Sequence, residues 1–256
     1  MKIAVVTVWY NEEDLAPFFL KHYNFVDNIF VYLDTATNDN TRSICAGCAN
    51  VVVRSITYPK GYDPGLQVQV MNKAVGALKH DWVYAIDADE FIQQPKQYKS
   101  AEAFLNKQKQ QGYNLVIARM YQVYRHVTDK DLDVSRPVLA QRRHGDPDLS
   151  TPFNRCYIKP VVVKPEVGIH WQVGCHKYRG NRNIRLAGEQ FVGAHWKMAD
   201  PKFASKRRIL HNKARLSKRS FAKGRQWQDT SATEGSILKE LKAHSHDPNV
   251  LGQLLP

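Results

Sequence analysis

Strand-like and helix-like segments alternate through the first half of the chain, and that alternation restricts the folds open to it. "KIAVVTVW" is a short β-branched run suited to a buried strand, and "NEEDLAPFFLKHYNFV" then sets apolar residues at helical spacing behind acidic ones. "NIFVYL" and "NVVVRSI" read as second and third strands, "GLQVQVMNKAVGALKH" as a helix, and "WVYAID" as a fourth strand. "SAEAFLNKQKQQG" and "YNLVIARMYQVY" add a further helix and strand. The intervals suit βαβ units, so the expected fold is α/β with a Rossmann-like, mostly parallel sheet.

Topology alone then locates a site, because open parallel sheets bind ligands beyond the carboxyl ends of their strands. Three of the first four strands end in polar clusters: "YNEE", "DTATND" and "DADEF". The last poses a problem, since Asp87, Asp89 and Glu90 fall within four residues at the end of an apolar run. Charges of one sign packed so closely need water, a basic neighbour or a cation beside them. Two residues apart on an extended chain, Asp87 and Asp89 share a side, an arrangement suited to Mn2+ or Mg2+ held jointly with substrate phosphates. The bland alternative is a solvated strand end that caps the next helix.

Beyond about Val127 the periodicity weakens, and a polar, proline-bearing stretch reads as an excursion near an active site or acceptor. "YIKPVVVKP", "VGIHW" and "QFVGAHW" look like short strands returning to the sheet. Residues 202–225 are densely basic without an acidic residue, and carry a narrow apolar stripe of Phe203, Ile209, Leu210 and Leu216. That helix is either a solvated face or an interfacial segment for anionic lipid or a phosphorylated acceptor. A net charge of +13 favours an anionic partner of some kind, whether nucleotide phosphates, nucleic acid or an acidic membrane surface. The apolar run at the start is too short for a signal peptide and leads into Asn11-Glu12-Glu13, and no later run is long enough to span a bilayer. The expected location is therefore cytoplasmic, at most peripheral at the inner face of the membrane. Cys45 and Cys48 in "CAGC" have the spacing of a zinc or redox site, but reduced thiols are the expectation for four cysteines so placed.

"WYNEE", "LDTATNDNT", "QVQVMNKAV" and "IDADEF" occur in an order and spacing that resembles glycosyltransferases of the GT-A fold, most nearly family-2-like bacterial enzymes with a DADEF-type DxD motif. The resemblance covers roughly the first hundred residues and continues more loosely through "NRCYIKP", "GCHKY" and "AHWKMADPKFASK". It implies a catalytic domain over residues 1–200, with a nucleotide-sugar-binding half (1–120) and an acceptor and metal-completing half (121–200) of irregular structure. Residues 201–256 would be a basic helical extension. It implies that Asp89 binds the metal directly and that Asp87 does so through water or meets the donor ribose. Thr7, Trp9, Asn11 and Glu12 would border the base, and Asp34 and Asp39 would reach base and ribose, although turn capping serves Asp39 nearly as well. The metal shell would be completed by His176 or His195, with His170 a weaker third, and the neighbouring Lys177 and Lys197 would meet the diphosphate. The implied reaction moves a sugar from a UDP-linked donor to a hydroxyl of a surface glycan, lipopolysaccharide or glycolipid, with inversion. Asp148 is the candidate base, with Asp146 and Glu166 as alternatives. The chain departs from the common pattern in lacking a clear acidic dipeptide base and a QxxRW signature, which argues against a processive synthase.

A reading from another class is a nucleic-acid-binding protein that uses the basic segment. It leaves the carboxylates at three strand ends unexplained, since they would repel phosphate, and nucleic acid is not the expected partner. A nucleotidyltransferase would want a glycine- and arginine-rich loop where "VWYNEE" stands.

Overall fold

The computed structural model describes residues 1–146, 158–180, 183–206 and 233–244. Strand β1 (Ile3–Trp9) lies inside the sheet, flanked in parallel by β2 (Asn28–Asp34) and β4 (Trp82–Ala85). Covered on both faces, β1 has no solvent side on which to place polar residues, which is why its sequence does not alternate. The sheet's edge beyond β2 is β3 (Val51–Ile56), also parallel and only partly buried. On the other side of β4 come β8 (Ile158–Val163), β6 (Leu115–Tyr124), β11 (Phe191–Met198) and β5 (Glu90–Gln93), with β7 (His144–Asp146) paired to β6. β1, β2, β3, β4, β6 and β11 run one way, and β5, β7 and β8 run the other, so the sheet is largely parallel as expected.

One expectation about strands is corrected, and one strand was not expected. "VGIHW" does not return to the sheet: β9 (His170–Trp171) pairs only with β10 (Tyr178–Arg179) in a separate ribbon. The unexpected strand is β5, which starts at the last carboxylate of the cluster, Glu90, and runs antiparallel to β11. Among the helices, α1 (Ala16–His22) starts later than its acidic lead-in because Asn11 takes a left-handed φ of 50° and the Glu12 carbonyl first closes a turn onto the Leu15 and Ala16 amides. α2 (Thr41–Ala46) is a short helix within the second loop region. Asp63 caps α3 (Pro64–Gly76) by accepting from the Gly65 amide at 2.7 Å, with proline at the first helical position. Ser100 does the same for α4 (Ala101–Gln110) through the Ala103 amide.

The core lies on both faces of the sheet. One face buries Trp9, Phe19, Tyr23, Phe91, Phe104 and Trp196, and the other buries Val6, Val68, Met71, Val75 and Val163 against α3. A third, small cluster of Tyr124, Met198, Ala204 and Ile237 joins α5 (Pro201–Ser205) and α6 (Glu234–His244) to the ends of β6 and β11. Most of the basic segment 202–225 lies outside the described residues. Cys45 and Cys48 are free, and burial pushes the Cys45 thiol up to about 12. Among the described residues no helix is long and apolar enough to cross a membrane.

Candidate functional site

The parallel strands β1, β2 and β4 deliver their following loops to one edge of the sheet. The first two loops are stitched together. The Asn11 amide group donates to the Asn38 side chain at 2.7 Å, while its oxygen accepts from the Asn38 backbone at 2.9 Å. The Glu12 amide donates to the Thr41 hydroxyl at 2.7 Å. Asp39 accepts from the Thr41 amide at 3.0 Å and from the Glu13 amide at 3.1 Å, which is the local capping role that its loop position allows. Asp34 is buried at the end of β2 and accepts from the Ala36 amide at 2.8 Å. Thr7 and Trp9 are fully buried and bonded to each other, indole N–H to hydroxyl, so their side chains are taken up by the core.

The third loop resolves the charge problem of the DADEF segment. A tight turn, closed by the Glu90 amide on the Asp87 carbonyl, sends the carboxylates apart instead of keeping them on one side. Asp87 accepts from the Lys159 ammonium at 2.9 Å, and Glu90 also meets that ammonium while taking the Asp87 amide at 3.0 Å. Lys159 is 6% exposed. Desolvation works against its charge, but Asp87 and Glu90 beside it hold its pKa well above the ordinary lysine range. The knot is therefore compensated in part by a basic neighbour. Sequence reasoning missed Lys159, although a lysine inside "YIKPVVV" is itself a signal, since a buried ammonium requires carboxylate partners.

Asp89 is directed elsewhere. It is 3% exposed, its carbonyl accepts from the Trp196 amide at 2.7 Å, and its carboxylate lies 3.3 Å from His195 Nε2. His195 stands opposite Glu90 in the β5–β11 pairing and opposite Gln122 across β6. The Gln122 amide nitrogen donates to the carbonyls of Val123 and His195 at 3.2 and 3.1 Å, which turns its oxygen towards His195 Nδ1 at 2.9 Å. Nδ1 then carries a proton donated to Gln122, and Nε2 is the ring nitrogen that faces the carboxylate of Asp89. A carboxylate and an imidazole nitrogen at that distance are a donor set that a divalent cation could draw on.

The remaining expected residues are spread more widely. His176 follows Cys175, a left-handed residue at φ 57°, in the turn between β9 and β10. That turn approaches the Asp87–Lys159 cluster, and burial together with the Asp87 carboxylate pushes the Cys175 thiol up to about 12. His170 is exposed at the start of β9, Lys177 is exposed beyond His176, and Lys197 is half-buried near the end of β11. Among the described residues no three His, Cys, Asp or Glu side chains gather as a metal cluster, so the four expected ligands are not assembled together. Glu166 is corrected by register. β8 runs antiparallel to β4 with Val163 opposite Val83, which carries the turn at Pro165–Val167 to the far edge of the sheet. Asp146, in contrast, pairs with Gln122 and so sits one strand across from His195's neighbour. Asp148 lies outside the described residues.

Close backbone contact at Gly193 keeps this geometry. A Cβ there would stand 2.4 Å from the Phe91 carbonyl oxygen. Gly193→Ala is expected to cost about 1–3 kcal/mol by overpacking the β5–β11 pairing. A urea titration reads this, and an unchanged midpoint would show that β5 moves freely.

No protein-family model matches the chain, and no curated protein sequence matches it. Among solved structures it is similar to S. aureus TarS, at 13% identity over 95% of this chain and 43% of that one, with a TM-score of 0.45. It is also similar to S. aureus TarS 1-349 in complex with UDP-GlcNAc, at 15% identity over 94% of this chain and 72% of that one, with a TM-score of 0.44. A third is glucosyl-3-phosphoglycerate synthase from Mycobacterium tuberculosis in complex with Mn2+, UDP and phosphoglyceric acid, at 17% identity over 65% of this chain and 56% of that one, with a TM-score of 0.35. The chain spans 43% of the length of the first of these.

Proposed function

We propose that this chain is a metal-dependent glycosyltransferase of the GT-A type that moves a sugar from a UDP-linked donor to a hydroxyl of a bacterial surface glycan or glycolipid. The observation that carries the reading is the Asp89–His195 pair, 3.3 Å apart at the carboxyl edge of the sheet and oriented by Gln122. Its donor set, one carboxylate and one imidazole with the second ring nitrogen engaged, fits a divalent ion such as Mn2+ or Mg2+ that takes its other ligands from phosphate and water. Such an ion would supply electrostatic stabilisation to the departing diphosphate.

The protein's own groups do the rest. Asp87, fixed by Lys159, faces the donor with its half-open carboxylate, within reach of ribose hydroxyls or of water on the ion. The stitched loops of Asn11, Glu12, Asp34 and Asp39 form the base end of the crevice, and Lys177 and Lys197 serve the diphosphate. Asp148 or Asp146 takes the proton of the acceptor hydroxyl, consistent with an inverting displacement and with the placement of residue 146 one strand beyond Gln122. The motif resemblance supplies the donor and acceptor classes, and the basic extension suits an anionic, membrane-borne acceptor at the cytoplasmic face.

Calorimetric titration with UDP tests this reading. Binding is expected with Mn2+ and is expected to weaken at least tenfold with EDTA. Equal binding with and without metal, or no UDP binding at all, would remove the assignment.

A further inference from the structure

At the base end of the crevice one ammonium reaches three carboxylates of the two loops. Lys206, directly after α5, lies 3.0 Å from Asp14, 3.2 Å from Glu13 and 3.5 Å from Asp39. Lys202 adds a second contact to Asp14 at 2.6 Å. These acids are not loosely placed. Asp39 is bound to the Glu13 amide, and the second Glu13 oxygen accepts from the backbone and side chain of Asn40, both at 3.2 Å. Lys206 thus touches a framework shared between the loop after β1 and the loop after β2.

Its surroundings are partly shielded, with 19% side-chain exposure for Lys206, 15% for Asp14, 9% for Asp39 and 32% for Glu13. Ion pairs at such a position are screened far less than surface pairs. Burial opposes the charge on Lys206, but Asp14 and Glu13 raise its pKa, so it stays an ammonium. Burial likewise opposes ionisation of Asp14, but Lys202 and Lys206 hold its carboxyl below the usual range.

Without that ammonium, Glu13 and Asp39 would lose their ammonium partner and Asp14 would keep only Lys202, on a wall of the crevice that an anionic nucleotide has to approach. Repulsion among Glu13, Asp14 and Asp39 would also push the two loops apart. We infer that Lys206 is a positioning residue: by bridging Glu13, Asp14 and Asp39 it ties the start of the C-terminal extension to both donor-side loops and cancels charge that would repel an anionic nucleotide. This rests on the glycosyltransferase reading of the crevice, and it gives the extension a role inside the site in addition to any role at a surface.

The test is calorimetric titration of UDP with Mn2+ into the full chain and its variants, alongside their melting curves. Lys206→Met is expected to weaken UDP binding about tenfold, Lys206→Arg to stay within about twofold of the wild type, and Asp14→Asn added to Lys206→Met to recover part of the loss. Should Lys206→Met prove too unstable to titrate, the comparison of Lys206→Arg with Asp14→Asn/Lys206→Met decides, with both expected to bind more tightly than Asp14→Asn/Lys206→Glu. A wild type that binds UDP while Lys206→Met binds equally tightly would overturn the positioning role and leave the function standing. A wild type that binds no UDP would overturn the functional reading and this inference with it.

Discussion

Lys159→Met is expected to destabilise the protein by about 3–5 kcal/mol, lowering its melting point by roughly 10 °C. Methionine keeps the length and apolar stem of lysine but removes the cation between Asp87 and Glu90, and Glu90 is only 2% exposed. An ion pair in such a place adds little over an apolar substitute, yet stripping one partner leaves a buried charge with nothing beside it. Burial already raises the affinity of Glu90 for a proton, and Lys159 is the strongest of the groups that oppose this. Without it Glu90 takes up a proton on folding, so the native state of the variant binds more protons than the unfolded chain. A group whose folded pKa lies above its unfolded value contributes stability at low pH and loses it as pH rises. The deficit should therefore be largest at neutral pH and should shrink towards the carboxylate range. Lys159→Met/Glu90→Gln should recover much of it at pH 7. Urea unfolding at two pH values checks all three statements, and a loss below about 1 kcal/mol would mean that the carboxylates are compensated by something other than this lysine.

The same residues explain which parts of the fold were legible in the sequence. β1, β2 and β4 are buried on both faces, so their apolar runs announce them, and α3 and α4 were legible as helical segments between the strands. β5 was hidden. It is a four-residue strand that begins with a buried glutamate, and that burial is permitted by an ammonium 69 residues further along. Lys159 and Gln122 were missed for a related reason: each acts through pairing across the sheet, which local spacing does not report. Asp87 and Asp89 were legible as a pair, but their division of labour was not. It depends on a turn that directs one to Lys159 and the other to His195. Between His176 and His195 the sequence offered no preference, since both sit beside a strand-like stretch and a lysine. The pairing of β5 with β11 is what brings His195 to Asp89.

That pairing also sets the largest effect expected on activity. Under the proposed function, alanine at Asp89 or at His195 should abolish metal-dependent UDP binding, because each removes one of the two protein donors that face each other there. Gln122→Leu should be milder and more informative. It leaves both donors in place but removes the oxygen that accepts from His195 Nδ1 at 2.9 Å, and with it the constraint that turns Nε2 towards Asp89. Loss of an outer partner of this kind typically weakens metal affinity about 10–100-fold. The substitution also removes the amide that donates to the His195 carbonyl, so melting curves are needed to separate ring orientation from strand pairing. Mn2+ binding followed by electron paramagnetic resonance reads the ion directly, without UDP or turnover. The expected order of affinity is wild type, then Gln122→Leu, with His195→Ala and Asp89→Ala at or below detection. If all four bind Mn2+ equally, the Asp89–His195 contact is an internal ion pair that holds β5 to β11, and the metal belongs elsewhere.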